Sequence, residues 1–181
     1  DRVSQLETER GIALGAVRLI AMLESPAALL LAREIATASP RMVGLTLGME
    51  DYATTMGTTP NADLLRPACY QITQAARAAG IAPLAVPASM ANFRDVEEME
   101  SAAGWARRIG AVGGYAVHPV QVEILNRVFA PSEEEIAWAH RVVEAAAKAK
   151  REGAGVFTVD GKMVDLPIIT RAHDIIGRQA G

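Results

Sequence analysis

The sequence predicts an α/β protein built on a parallel sheet. Three observations carry this. Short, continuous apolar runs recur through the first two thirds of the chain, as buried parallel strands do. Segments of helical length separate them. Each run stops at a polar or turn cluster, which puts the reactive side chains at one end of the sheet.

Residues 2–15 mix charges with Val3, Leu6, Ile12 and Leu14 and read as a surface helix. Residues 18–23 (Arg-Leu-Ile-Ala-Met-Leu) form the first apolar run, ended by Glu24-Ser25-Pro26. Ser25 as cap with Pro26 at the first helical position opens a helix over 26–38, which Pro40 closes. Residues 42–47 are the second strand, ended by Gly48-Met49-Glu50-Asp51. A loop holding Gly57, Pro60 and Asn61 leads to a helix over 62–79, stopped by Gly80. The third strand covers 81–86 and ends at Pro87. Asp95 caps a helix over 96–109 with Gly110 at its end, and residues 111–117 read as a fourth strand ended by His118-Pro119.

The pattern then changes. Ser132 with Glu135 forms a capping box that starts a long helix to about Arg151, which Gly153 and Gly155 break. Residues 156–164 read as a hairpin around an Asp160-Gly161 turn, and a last helix covers about 166–178. The expected organisation is an α/β part over 1–130 and a helix–hairpin–helix extension over 131–181. Periodicity alone leaves two architectures open for the first part: a small doubly wound sheet, or half of an eight-stranded barrel.

Composition narrows the function classes. Half the residues are apolar, 22% are charged and only 4% are aromatic, a globular balance with an aliphatic core. A net charge of −3, with basic residues scattered beside acids, gives no basic face for nucleic acid. Cys69 is the only cysteine, so no disulfide can form within the chain. No basic-then-apolar leader opens the sequence and no apolar run reaches membrane-spanning length. The expectation is a cytoplasmic protein with no membrane or nucleic-acid partner.

Glu24 and Asp51 stand just past the ends of consecutive strands. Neighbouring parallel strands lie about 4.8 Å apart, so two carboxylates at the same height can share one cation. Two hard oxygens with open positions suit Mg²⁺. Spacing alone equally allows each acid to be an ordinary cap or loop residue.

The flanking residues resolve that choice. Leu-Ile-Ala-Met-Leu-Glu-Ser-Pro at 19–26, Ala-Arg-Glu-Ile-Ala at 32–36, Gly-Leu-Thr-Leu-Gly-Met-Glu-Asp at 44–51 and Met-Gly at 56–57 resemble the acyl-CoA lyases of the citrate lyase beta subunit family, within the HpcH/HpaI aldolase superfamily. The resemblance continues in Ala-Ala-Arg-Ala-Ala-Gly at 75–80 and Ala-Val-His-Pro-Val-Gln-Val at 116–122. Phe-Ala-Pro-Ser at 129–132 and Asp-Gly-Lys-Met-Val-Asp-Leu-Pro at 160–167 extend it through the tail.

It implies a (β/α)₈ TIM-type barrel, of which this chain shows about the last four β/α units, assembled as trimers or hexamers. It implies Glu24 and Asp51 as the Mg²⁺ ligands. Asp165 matches the acid that reaches from one subunit's tail into a neighbour's site, as acid/base at the methyl carbon of an acetyl group. His118 and Pro119 match the barrel mouth and are expected to line the pocket for acyl-CoA and 2-oxo acid, with Gln121 on the same rim. The implied reaction cleaves or forms a 3-hydroxyacyl-CoA, giving acetyl-CoA and a 2-oxo acid. Rival readings are a CoA-independent metal-dependent aldolase for hydroxy-oxo acids and a non-catalytic acyl-CoA-binding subunit. Two departures bear on them. Gly113-Gly114-Tyr115 stands where many relatives carry Gly-Lys, removing a cation available to a CoA phosphate. About four further β/α units, with an Asp-Leu-Glu-Asp segment and a substrate-binding arginine, precede the matched region in relatives.

Overall fold

A computed structural model describes residues 2–153 and 156–179. The chain forms two compact units, residues 1–129 and 130–181.

The first unit opens with α1 (Arg2–Glu9), shorter than the helix expected over 2–15. The cause is Glu7, buried in a segment that reads as surface. Its carboxylate accepts the N–H groups of Gly15 at 2.9 Å and Val17 at 2.8 Å, which draws the chain out of the helix. The Arg41 guanidinium meets the same carboxylate in a bidentate pair at 2.7 and 2.5 Å. Arg41 also donates to the Val17 carbonyl and the Ser4 hydroxyl. Saturation of both charges with hydrogen bonds is what makes their burial tolerable. The guanidinium, helped by the two backbone N–H groups, holds the Glu7 carboxyl down at about 2.

β1 (Leu19–Leu23) follows. Ser25 accepts from Ala28 N–H at 3.2 Å and so caps α2 (Pro26–Leu30), which is followed by α3 (Ala32–Ala36). One continuous helix was expected over 26–38, but Leu31 (φ −100°, ψ 17°) interrupts it. The Leu29 carbonyl is taken by the Gln71 side-chain amide at 2.8 Å. β2 (Met42–Leu47) leads into α4 (Met49–Thr55), a helix where a loop was expected. Asn61 caps α5 (Ala62–Ala78). β3 (Ala82–Leu84) is followed by α6 (Val96–Arg108), which Asp95 caps through Glu98 N–H at 2.9 Å.

The three strands pair in parallel in the order β1-β2-β3, with Leu23 beside Leu47 and Thr46 beside Leu84. One face of the sheet, carrying Leu23, Leu45 and Leu47, packs on Leu29, Leu65 and Ile72 of the helices. Each such buried aliphatic side chain contributes about 1.5–3 kcal/mol. On the other face Ile20 and Met22 remain 45% and 47% exposed.

The fourth strand expected over 111–117 does not form. This segment makes one ladder-like bond to β3, Val112 N–H to the Pro83 carbonyl at 3.0 Å. Pro83 has no N–H to return, so a neighbour on that side loses a rung. The backbone instead packs directly on a side chain: a Cβ built on Gly114 would lie 2.6 Å from Val86 Cγ2. α7 (Pro119–Phe129), not foreseen in the sequence, ends this unit.

The second unit contains α8 (Glu133–Arg151), β4 (Phe157–Val159), β5 (Lys162–Val164) and α9 (Leu166–Gln179). The Ser132/Glu135 capping box is present in both directions. β4 and β5 pair antiparallel across Asp160 (φ 52°) and Gly161 (φ 73°), the left-handed pair an Asp-Gly turn provides. Ala139, Val142, Val159, Val164 and Ala172 form this unit's core. The expected break at Gly153 is seen, while Gly155 lies outside the described residues. Among the described residues no helix is long and apolar enough to cross a membrane.

Candidate metal and substrate site

Glu24 follows β1 directly and its side chain is exposed. One strand across, Gly48 N–H donates to the Leu23 carbonyl at 2.9 Å, carrying the pairing a residue past β2. Gly48 is also the N-cap of α4, with φ −83° and ψ 92°, a backbone any residue could adopt. Glycine is required there for space. A Cβ built on it would fall 2.5 Å from Glu24 Cγ and 3.0 Å from Glu24 Oε1. The Glu24 carboxylate therefore rests against the backbone that starts α4, and the first turn of α4 carries Glu50 and Asp51.

The structure thus places Glu24 directly after β1 and Asp51 in the first turn of the helix that follows the adjacent strand β2. Neither carboxylate has a hydrogen-bonding or ion-pairing partner among the described residues. No group of three or more His, Cys, Asp and Glu able to hold a metal occurs among them either. Carboxylate oxygens of this kind suit Mg²⁺, which takes waters or substrate oxygens in most of its positions.

Glu50 is differently placed. Its carboxylate accepts from the Ser89 hydroxyl, in the loop after β3. The sequence offered one signal for this pair, an acid beside a candidate ligand, but not the identity of its partner.

The same loop reaches His118. The His118 ring stacks on Phe93, with centroids 4.6 Å apart and planes inclined by 18°. Its Nδ1 accepts from Val120 N–H at 3.3 Å, so the neutral ring carries its proton on Nε2 and is presented as a donor. Gln121, expected on the rim, is fully buried beneath it. Its Oε1 accepts from the N–H groups of Val117 at 2.9 Å and His118 at 3.2 Å, while its Nε2 points to the Met90 carbonyl at 3.5 Å. His118 and Pro119 border an open cavity of about 490 Å³ with Ala116, Val117, Val122 and Glu123.

Asp165 lies in the second unit, half-buried between β5 and α9. Its backbone carbonyl accepts from Ile168 and Ile169 N–H, both at 3.1 Å. Its carboxylate has no partner among the described residues.

Comparison with known proteins gives these features a context. The family model described as HpcH/HpaI aldolase/citrate lyase matches residues 2–119. The chain is 38% identical over 178 residues to the citrate lyase subunit beta of Haemophilus influenzae, covering 97% of this chain and 60% of the relative. It is 35% identical over 183 residues to the L-malyl-CoA/beta-methylmalyl-CoA lyase of Rhodobacter capsulatus, covering 91% and 57%. Its fold is similar to that of the protein CitE from Mycobacterium tuberculosis, solved in complex with magnesium, acetoacetate and coenzyme A. The TM-score is 0.73 at 31% identity, over 100% of this chain and 74% of that one. The chain spans about three-fifths of the length of the curated relatives it matches. A match of this extent means that the chain belongs to the HpcH/HpaI aldolase/citrate lyase family.

Proposed function

We propose that this chain carries the metal-binding part of a Mg²⁺-dependent carbon–carbon lyase that cleaves, or in reverse forms, a 3-hydroxyacyl-CoA, giving acetyl-CoA and a 2-oxo acid. The observation that carries the reading is the Glu24 carboxylate seated against Gly48, on the turn that bears Asp51, at the tips of adjacent strands. Two of the related proteins are named as lyases, and a similar structure holds magnesium, acetoacetate and coenzyme A together.

Bound between Glu24 and Asp51, the ion would supply Lewis-acid stabilisation of charge on the oxo-acid oxygen. The two carboxylates would hold the ion and leave coordination positions open to substrate oxygens. In this reading His118 and Pro119 line the substrate pocket, with Nε2–H of His118 available to a substrate oxygen. In cleavage, the hydroxyl gives its proton to water, the C–C bond breaks as the oxygen becomes the carbonyl of the 2-oxo acid, and Asp165, entering protonated, delivers its proton to the carbon of the acetyl-CoA enolate and is left as the carboxylate. In condensation Asp165 removes a methyl proton instead. In this reading Asp165 acts in the site of a neighbouring subunit, so the active species is a trimer or hexamer.

The same reading makes the sheet part of a closed (β/α)₈ barrel, with the second unit as its extension. Ile20 and Met22 support closure: they leave one sheet face apolar and uncovered, where parallel sheets are normally buried on both sides.

One observation favours a second reading, a CoA-independent aldolase. Gly113 and Gly114 pack on Leu84 and Val86 and place no cation on this segment. The deciding experiment is a full-length protein assayed with malyl-, citramalyl- and citryl-CoA, with and without EDTA. EDTA-sensitive thioester cleavage that is lost in Glu24→Ala and Asp51→Ala is expected. Turnover intact in both variants would overturn the metal assignment; turnover of free hydroxy-oxo acids alone would favour the aldolase.

A further inference from the structure

α4 has an unusual start. Its N-cap is glycine, with no side-chain cap, and it runs for only seven residues. A helix so short has little stability of its own, so its first turn must be fixed from outside. The turn has two polar tethers. One is Gly48 N–H to the Leu23 carbonyl, toward β1. The other is the Glu50 carboxylate, which receives the Ser89 hydroxyl from the loop after β3. Ser89 Oγ also accepts from Ala91 N–H at 3.3 Å, which orients the hydroxyl within its own loop. Asp51 is the next residue in this turn; its carboxylate has no partner among the described residues, and its place is set by these two tethers together with the burial of Met49, Tyr52 and Ala53 on the same helix.

We propose that Glu50 is a positioning residue: held by Ser89, it fixes the first turn of α4 so that Asp51 faces the cation shared with Glu24, and it does not itself bind that cation. The inference rests on the reading of Glu24 and Asp51 as ligands. A carboxylate oxygen accepting from a hydroxyl gives the turn a directional contact with the loop after β3, which restricts its register.

The test is Mn²⁺ affinity of the full chain by electron paramagnetic resonance, with circular dichroism and thermal melting to verify folding. Glu50→Ala and Ser89→Ala are each expected to weaken Mn²⁺ binding about tenfold with the melting temperature nearly unchanged. The double variant should be no weaker than either single one, because both remove the same tether. Glu50→Gln keeps an oxygen that accepts from Ser89 and should bind Mn²⁺ within about twofold of the parent. A merely structural role would move the melting temperature and leave affinity alone, and a ligand role would make Glu50→Gln as poor as Glu50→Ala; either result overturns the proposal. Parent affinity retained in Glu50→Ala overturns this inference and leaves the metal site standing, provided Glu24→Gln and Asp51→Asn abolish binding. A parent that binds no Mn²⁺ overturns both.

Discussion

Gly48→Ala isolates the space beside Glu24 from the fold around it. The backbone at Gly48 (φ −83°, ψ 92°) accepts alanine without strain. Alanine is a poorer N-cap than glycine by roughly 0.5–1 kcal/mol, and Gly→Ala gains about 0.4–1 kcal/mol by restricting the unfolded chain. These effects nearly cancel, so the melting temperature should move by only a few degrees. The new methyl, however, would stand 2.5 Å from Glu24 Cγ, 3.0 Å from Oε1 and 3.2 Å from Cδ. No atom tolerates that approach, and the exposed Glu24 side chain is what can yield. Holding it about 30° off its rotamer costs roughly 0.5–1.5 kcal/mol. Since 1.4 kcal/mol is a factor of ten, Mg²⁺ affinity should fall about twofold to tenfold if the carboxylate can return to the ion. It should vanish if the carboxylate cannot. Isothermal titration with Mg²⁺, beside a thermal melt, reads both quantities. A Gly48→Ala protein that folds and binds Mg²⁺ like the parent would refute the claim that Glu24 serves the ion from this position. One that fails to fold would refute the claim that only space is at issue.

Three further outcomes are expected. Because the Arg41 pair holds the Glu7 carboxyl at about 2, below its ordinary 4.5, this pair stabilises the fold above pH 4.5 and the contribution is lost as pH falls toward 2; Glu7→Gln should flatten that part of a pH series of thermal melts. Gln121→Leu leaves the Val117 and His118 N–H groups without their acceptor and should destabilise by about 2–4 kcal/mol, measured by urea unfolding. Ile20→Ser with Met22→Ser is expected to destabilise by about 2–4 kcal/mol if this face lines a closed barrel, and by less than about 1 kcal/mol if it stays open to solvent, again by urea unfolding.

Legibility of the fold tracked how local its causes are. β1, β2, α5, α6, α8 and the β4–β5 hairpin have their caps, stops and turns within a few residues of their ends, and the sequence placed them closely. The burial of Glu7 leaves no local signal because its partner Arg41 is 34 residues away, and a charge in a charged segment looks solvated. The 111–117 run has the composition of a strand. Whether it becomes one depends on Pro83, which cannot supply the rung that a neighbouring strand needs. α4 carries no side-chain cap, and its seven residues are too few for helical periodicity to show.

The candidate site divides along the same line. Glu24 and Asp51 stand out as candidates in the sequence because each follows an apolar run, and a strand's end is a local signal. What holds them is not local: Gly48 makes room for a side chain contributed by the previous strand, and Ser89 steadies the turn from the strand after. Adjacent parallel strands are necessarily far apart in sequence, since a helix must return the chain between them. A site assembled at their tips therefore shows its acids to sequence reasoning and hides its supports. The supports are also where a fold of this kind can change affinity without changing ligands, because displacing Gly48 or Ser89 alters the placement of a carboxylate while leaving its chemistry intact.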